Sequence, residues 1–228
     1  MPEKEPQFFK PEAVPERKEE KEIKEPINFL VKSEIFRERL REAAKITDQT
    51  GQESGFAWVL FKDEKIEITR VTEGIGDEIP APAVYGKLMK DVFFYPPFPD
   101  NPEKGKRILI YGDVHFHPRP EKDDIIPSQA DLETFVVTFS TKGKIEEDEE
   151  EREYLRKYWR GVGIVKEDGF IDLLLITGRI GRTDFRMLCK QLREAENFEE
   201  KQKLLKENFK VYYFENISKI RKKKNFFS

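Results

Sequence analysis

The chain contains two histidines, His115 and His117, with one residue between them. They follow the apolar run Arg107 to Val114 (RILIYGDV), which reads as a strand. Side chains along a strand alternate between its faces, so both imidazoles leave on the same side. Two imidazoles on one face can share a metal ion. A catalytic zinc site takes three N or O ligands and keeps one position open for water. Asp131 suits the third place, because it follows Ser128 by three residues and projects from the first turn of a helix reached by the loop after the histidines. Ser128-Gln129-Ala130-Asp131 also has capping-box spacing, with Asp in place of the usual Glu. Beside His-x-His, and with Pro127 shaping the turn, the ligand reading of Asp131 takes precedence over the cap.

These residues need a scaffold, and the sequence supplies one. Ser33 can cap a helix to about Thr47, in which Phe36, Leu40, Ala43 and Ala44 recur at helical spacing. Glu53 to Phe61 (ESGFAWVLF) reads as a buried strand and Lys65 to Thr72 (KIEITRVT) as a half-buried one, joined at Asp63-Glu64. A helix is expected from Ser128 to about Phe139, and the acidic run at 145–152 starts another with solvated charges. Gly161 to Val165 and Phe170 to Ile176 form a strand pair around Asp168-Gly169. Helices follow at about 183–196 and 197–208, and VYYF at 211–214 closes the core.

Outside this frame the composition changes. Residues 1–28 are dominated by Pro, Glu and Lys and read as a flexible tail, with Phe8 and Phe9 as isolated aromatics. Residues 218–228, including RKKK at 221–224, read as a basic tail, leaving 29–217 as one domain. The segment 76–106 is rich in Pro and Gly, with at most one short helix, near 83–91, and the aromatics Phe93, Phe94, Tyr95 and Phe98. Long loops of this kind inside a domain are commonly functional.

The stretch HFHPRPEKDDIIPSQADL resembles the prokaryotic pattern of the JAMM/MPN zinc metalloprotease family: His-x-His-Pro, a loop, then Pro-Ser-x-x-Asp-Leu. Gln52-Glu53-Ser54-Gly55-Phe56 resembles that family's upstream glutamate element, and the elements run in the family's order. The likeness covers roughly residues 30 to 176, although its specific motifs are only Glu53 and 115–132. Three positions depart from the pattern. The loop 118–127 is longer, Phe116 replaces a small hydroxyl residue, and Phe56 stands where a second glycine would be.

The resemblance implies an α/β fold of JAMM/MPN (cytidine-deaminase-like) architecture, a mixed sheet flanked by helices with Zn2+ on His115, His117 and Asp131 at one edge. It also implies Glu53 as general base and Ser128 as a donor to the oxyanion of the tetrahedral intermediate; Glu53 stands at the head of an apolar strand, where a carboxylate is unexpected, and Glu73 is the fallback for the base. Ser128 has the alternative role of helix cap. The implied reaction is hydrolysis of an amide or isopeptide bond, with a ubiquitin-like protein conjugate as substrate. In the same resemblance, the insertion at 76–106 holds the modifier's extended tail; the alternative is a loop that covers the core.

Composition bounds the other readings. The 42 basic and 45 acidic residues leave a net charge of −3, which gives no global attraction to nucleic acid. The one cysteine, Cys189, leaves no Cys-rich metal site and no internal disulfide, and it reads as a buried helix residue. The N-terminus is not a leader pattern and no run has the length of a membrane span, so a cytoplasmic protein is expected. GDVHFHP also resembles the first strand of amidohydrolase barrels, but those sites need further histidines and a larger barrel. A reading from a different class is an inactive JAMM-fold scaffold or interaction module.

Overall fold

The computed structural model describes residues 25–74, 107–118, 121–137 and 156–220. Helix α1 spans Pro26–Lys32 and α2 spans Glu34–Thr50. The chain continues through β1 (Ser54–Phe61), β2 (Ile66–Ile68), β3 (Thr72–Glu73) and β4 (Ile108–Phe116). A 3-10 turn at Lys122–Ile125 precedes the short helix α3 (Gln129–Glu133), β5 (Val136–Val137), β6 (Tyr158–Val165), β7 (Phe170–Thr177) and β8 (Ile180–Gly181). Helices α4 (Arg182–Glu194) and α5 (Phe198–Asn208) lead to the last strand, β9 (Lys210–Lys219).

The main sheet runs β2-β1-β4-β6-β7-β9, with β3 also paired to β1. β4 and β6 are parallel, whereas β1–β4, β6–β7 and β7–β9 are antiparallel, so the sheet is mixed. Apolar side chains on both faces explain the continuous apolar reading of β1, β6 and β7. On one face, Phe36 and Leu40 of α2 and Ile27 and Leu30 of α1 pack on Phe56, Trp58, Val114, Phe116 and Leu173. The Phe36 ring meets Phe56 and Trp58 edge-on, with centroids 5.7 and 6.1 Å apart. On the other face, Leu132 of α3, Phe185 and Leu188 of α4, and Leu205 of α5 pack on Val162, Ile164, Leu174 and Ile176. The chain is therefore mixed α/β, with helices on both sides of the sheet.

Several boundaries differ from the sequence expectation. α1 starts at Pro26, inside the segment expected to be a tail, because Pro26 favours a first helical position and Ile27, Leu30 and Val31 give it a buried stripe. Ser33 stands at the N-cap of α2, but its hydroxyl makes no capping bond. Gly51, with φ of 69°, ends that helix through its N–H on Thr47 O. The helix expected over 128–139 stops at Glu133. Its tail becomes β5, where β-branched Val136 and Val137 pair in parallel with Ile180 and Gly181 of β8. The strand expected over 65–72 divides into β2 and β3. β9 continues past 217 to Lys219 and is followed by the buried Ile220, so the core reaches into the segment expected as the basic tail. The segment 76–106, the acidic run at 145–152, Phe8, Phe9 and RKKK lie outside the described residues. Cys189 is buried on α4, as expected.

Candidate metal centre

The β1–β4 register sets out the site. Ser54 lies opposite Phe116 and Gly55 opposite His115. Ser54 points into the α2 face, where its hydroxyl donates to Ala43 O at 2.7 Å and lies 2.8 Å from Thr47 Oγ1. With Ser54 fixed on that side, alternation sends Glu53 and Gly55 to the opposite face, the one that carries His115. Gly55 is required there: a Cβ would stand 2.6 Å from Val114 O and 3.2 Å from the Cα and Cβ of His115. Ser54 also pairs directly with Glu73, which places Glu73 on the α2 face and away from the histidines. Glu73 is exposed.

On the histidine face, side chains from three segments converge. His115 Nε2 lies 3.1 Å from His117 Nε2 and 3.4 Å from Asp131 Oδ1, and one ligand atom from each residue falls within 4.8 Å of the others. Ligands about 2.0–2.1 Å from a tetrahedral zinc ion stand roughly 3.3–3.4 Å apart, so the His115–Asp131 edge matches such a site and the His115–His117 edge is slightly shorter. His117 Nδ1 is hydrogen-bonded to the backbone carbonyl of Asp124. A carbonyl can only accept, so the ring proton sits on Nδ1 and the Nε2 lone pair faces the cluster. This backbone contact is the usual means of orienting a ligating imidazole. The donor set fits zinc in type, number and direction. Glu53 Oε1 lies 3.8 Å from His117 Nε2, at the margin of the same cluster.

Asp131 is doubly anchored. Its Oδ2 accepts from the backbone N–H and the hydroxyl of Ser128, both at 2.8 Å, while Ser128 Oγ accepts from Asp131 N at 3.2 Å. The capping box and a ligand role for Asp131 are thus compatible in one arrangement. The Ser128 hydroxyl is engaged in that cap.

The protonation of the metal-free cluster follows from its burial and charges. Burial alone would pull His115 down, but the adjacent Asp131 carboxylate reverses this and raises its pKa. Burial and the neighbouring His115 lower that of His117. Burial works against the charged form of Asp131, yet His115, Arg160 and the Ser128 hydrogen bond together hold it far below the usual carboxylate range. Without a metal, these shifts favour a proton on His115, beside the Asp131 carboxylate, over one on His117. A divalent ion would take the place of that proton.

Arg160, Asp113 and Tyr158 also reach this cluster and were missing from the sequence reading. The available signal was a charged residue in each of two apolar strands, with Asp113 two residues before His115 and so on its face. No helix among the described residues is long and apolar enough to cross a membrane. No protein-family model matches the chain, and neither a curated protein nor a solved structure matches it.

Proposed function

We propose that the chain is a zinc-dependent amide hydrolase of the JAMM/MPN type. The observation that supports this best is the convergence of His115, His117 and Asp131, with Glu53 directed to the same face by the β1–β4 register. Zinc held by these three residues supplies Lewis acidity toward a water molecule and a scissile carbonyl. Glu53 takes a proton from that water and passes it to the leaving amine. Ser128, at the exposed start of α3, turns its hydroxyl to donate to the oxygen that gains charge, while its backbone N–H keeps hold of Asp131 Oδ2. The proposed substrate, a ubiquitin-like protein conjugate cleaved at its C-terminal tail, rests on the motif resemblance. So does assignment of this mixed sheet to the JAMM/MPN architecture.

Purified full-length chain should contain near-stoichiometric zinc by elemental analysis and should cleave a ubiquitin-like fusion, with cleavage lost in His117→Ala. Zinc without cleavage of any fusion tested would turn the reading toward a metal-stabilised scaffold. Equal zinc in the wild type and His117→Ala would remove the site altogether.

A further inference from the structure

Arg160 is the third residue of β6, directly across from Asp113 of β4 in the parallel register. Its guanidinium spans two carboxylates from different parts of the chain. Nε is 3.2 Å from Asp113 Oδ1, and Nη1 is 3.2 Å from Asp131 Oδ1. Nε also donates to Tyr158 OH at 3.2 Å, and that hydroxyl in turn donates to Asp113 Oδ2. Asp113 is buried and the Arg160 side chain is mostly covered.

Together with Ser128, this arrangement gives Asp131 a donor on each oxygen. Oδ2 is held by Ser128 and Oδ1 by Arg160, so the carboxylate cannot rotate, and Oδ1 stays turned toward His115 Nε2. A cation so close to a metal position would ordinarily weaken metal binding. Here Asp113 cancels that charge, which leaves the hydrogen bonds as the net contribution of the pair.

We propose that Arg160 is a positioning residue that aims Asp131 Oδ1 at the metal, with Asp113 and Tyr158 fixing the guanidinium and balancing its charge. This rests on the metal assignment above. The test is zinc affinity, measured by competition with a chromophoric chelator, together with the visible spectrum of the cobalt(II)-loaded protein. It compares the wild-type chain with Arg160→Lys, Arg160→Met and Arg160→Met/Asp113→Asn. Outer-shell partners are typically worth about 10–100-fold in metal affinity. Arg160→Lys keeps the charge but loses the fork that reaches both carboxylates, and the double variant keeps the net charge but loses every hydrogen bond made by the guanidinium. Both should bind zinc about 10–100-fold more weakly and show an altered cobalt spectrum.

Arg160→Met binding zinc as tightly as the wild type or tighter would overturn the proposal, since charge rather than aim would then decide affinity. An unchanged cobalt spectrum in Arg160→Lys would also overturn it. Asp172→Asn, a substitution in a buried cluster without ligating histidines, controls for destabilisation alone and should leave zinc affinity unaltered. If the wild type binds no zinc, or His117→Ala binds it equally, the metal reading fails and takes this proposal with it. If zinc depends on His117 but not on Arg160, only this proposal fails.

Discussion

Two buried carboxylates in this protein, Asp131 and Asp172, are comparably covered, at 8% and 2% exposure, but their neighbours differ in kind. Asp172, on β7, accepts from Tyr213 OH at 2.8 Å and from the backbone N–H of Asn216 at 2.8 Å, with Lys166 Nζ at 3.4 Å. All three of these groups donate. These bonds hold the irregularity where β7 and β9 slip register, with Asn216 at φ of 54°. Burial raises the Tyr213 phenol well above its ordinary range, and the bond to Asp172 raises it further. Asp131 also has donors, in Ser128 and Arg160, but its remaining neighbours are two imidazole Nε2 atoms that face one another. Two such atoms 3.1 Å apart need a proton or a cation between them. Burial and pairing of an acid thus show only that the fold has satisfied it; acceptors converging beside it mark a place for a positive ligand.

The strongest way to break this comparison is to neutralise each acid in turn. Asp131→Asn should weaken zinc binding by more than about a hundredfold, because the proposal makes Asp131 a direct ligand rather than an outer partner. Asp172→Asn should leave affinity within about twofold; a large loss there would mean that the two clusters are coupled through the sheet. Glu53 and Glu73 give the next test, since register places them on opposite faces. Glu53→Gln should retain zinc and lose about a hundredfold or more in turnover on a fusion substrate, whereas Glu73→Gln should retain most of both. The reverse result would move the base to the other face. The smallest expected effect is on stability. Asp172→Asn should cost about 2 kcal/mol in urea unfolding, as expected for weakened hydrogen bonds to a buried charge. An unchanged midpoint would show that the β9 irregularity holds without it.

The histidine pair could be read from sequence because strand alternation is local, and Ser128 with Asp131 because a cap spans a single helical turn. Ser54 and Gly55 were legible only as small residues. Their reasons, a hydroxyl tied to α2 and a backbone pressed against His115, depend on the β1–β4 register. Arg160 and Asp113 were out of reach for the same reason, since nothing in either strand's own pattern states that they will face each other. α1 was hidden because its four apolar residues follow a long charged segment that dominates composition. β5 was hidden because a capped helix start says little about where the helix ends, and the two valines form their bridge with residues far along the chain.

The parallel contact of β4 with β6 joins strands separated by residues 117–157, whereas β1–β2 and β6–β7 are joined through short turns. Pairings distant in sequence form late, because the loop must close before its contacts repay the cost. The cluster draws on β4 and the crossover itself, and Arg160 of β6 closes it, so it can be complete only after this closure. An ion bound there stabilises the native state without stabilising the barrier that precedes it. Its occupancy would therefore appear as a longer native lifetime, with little change in how fast the chain first folds.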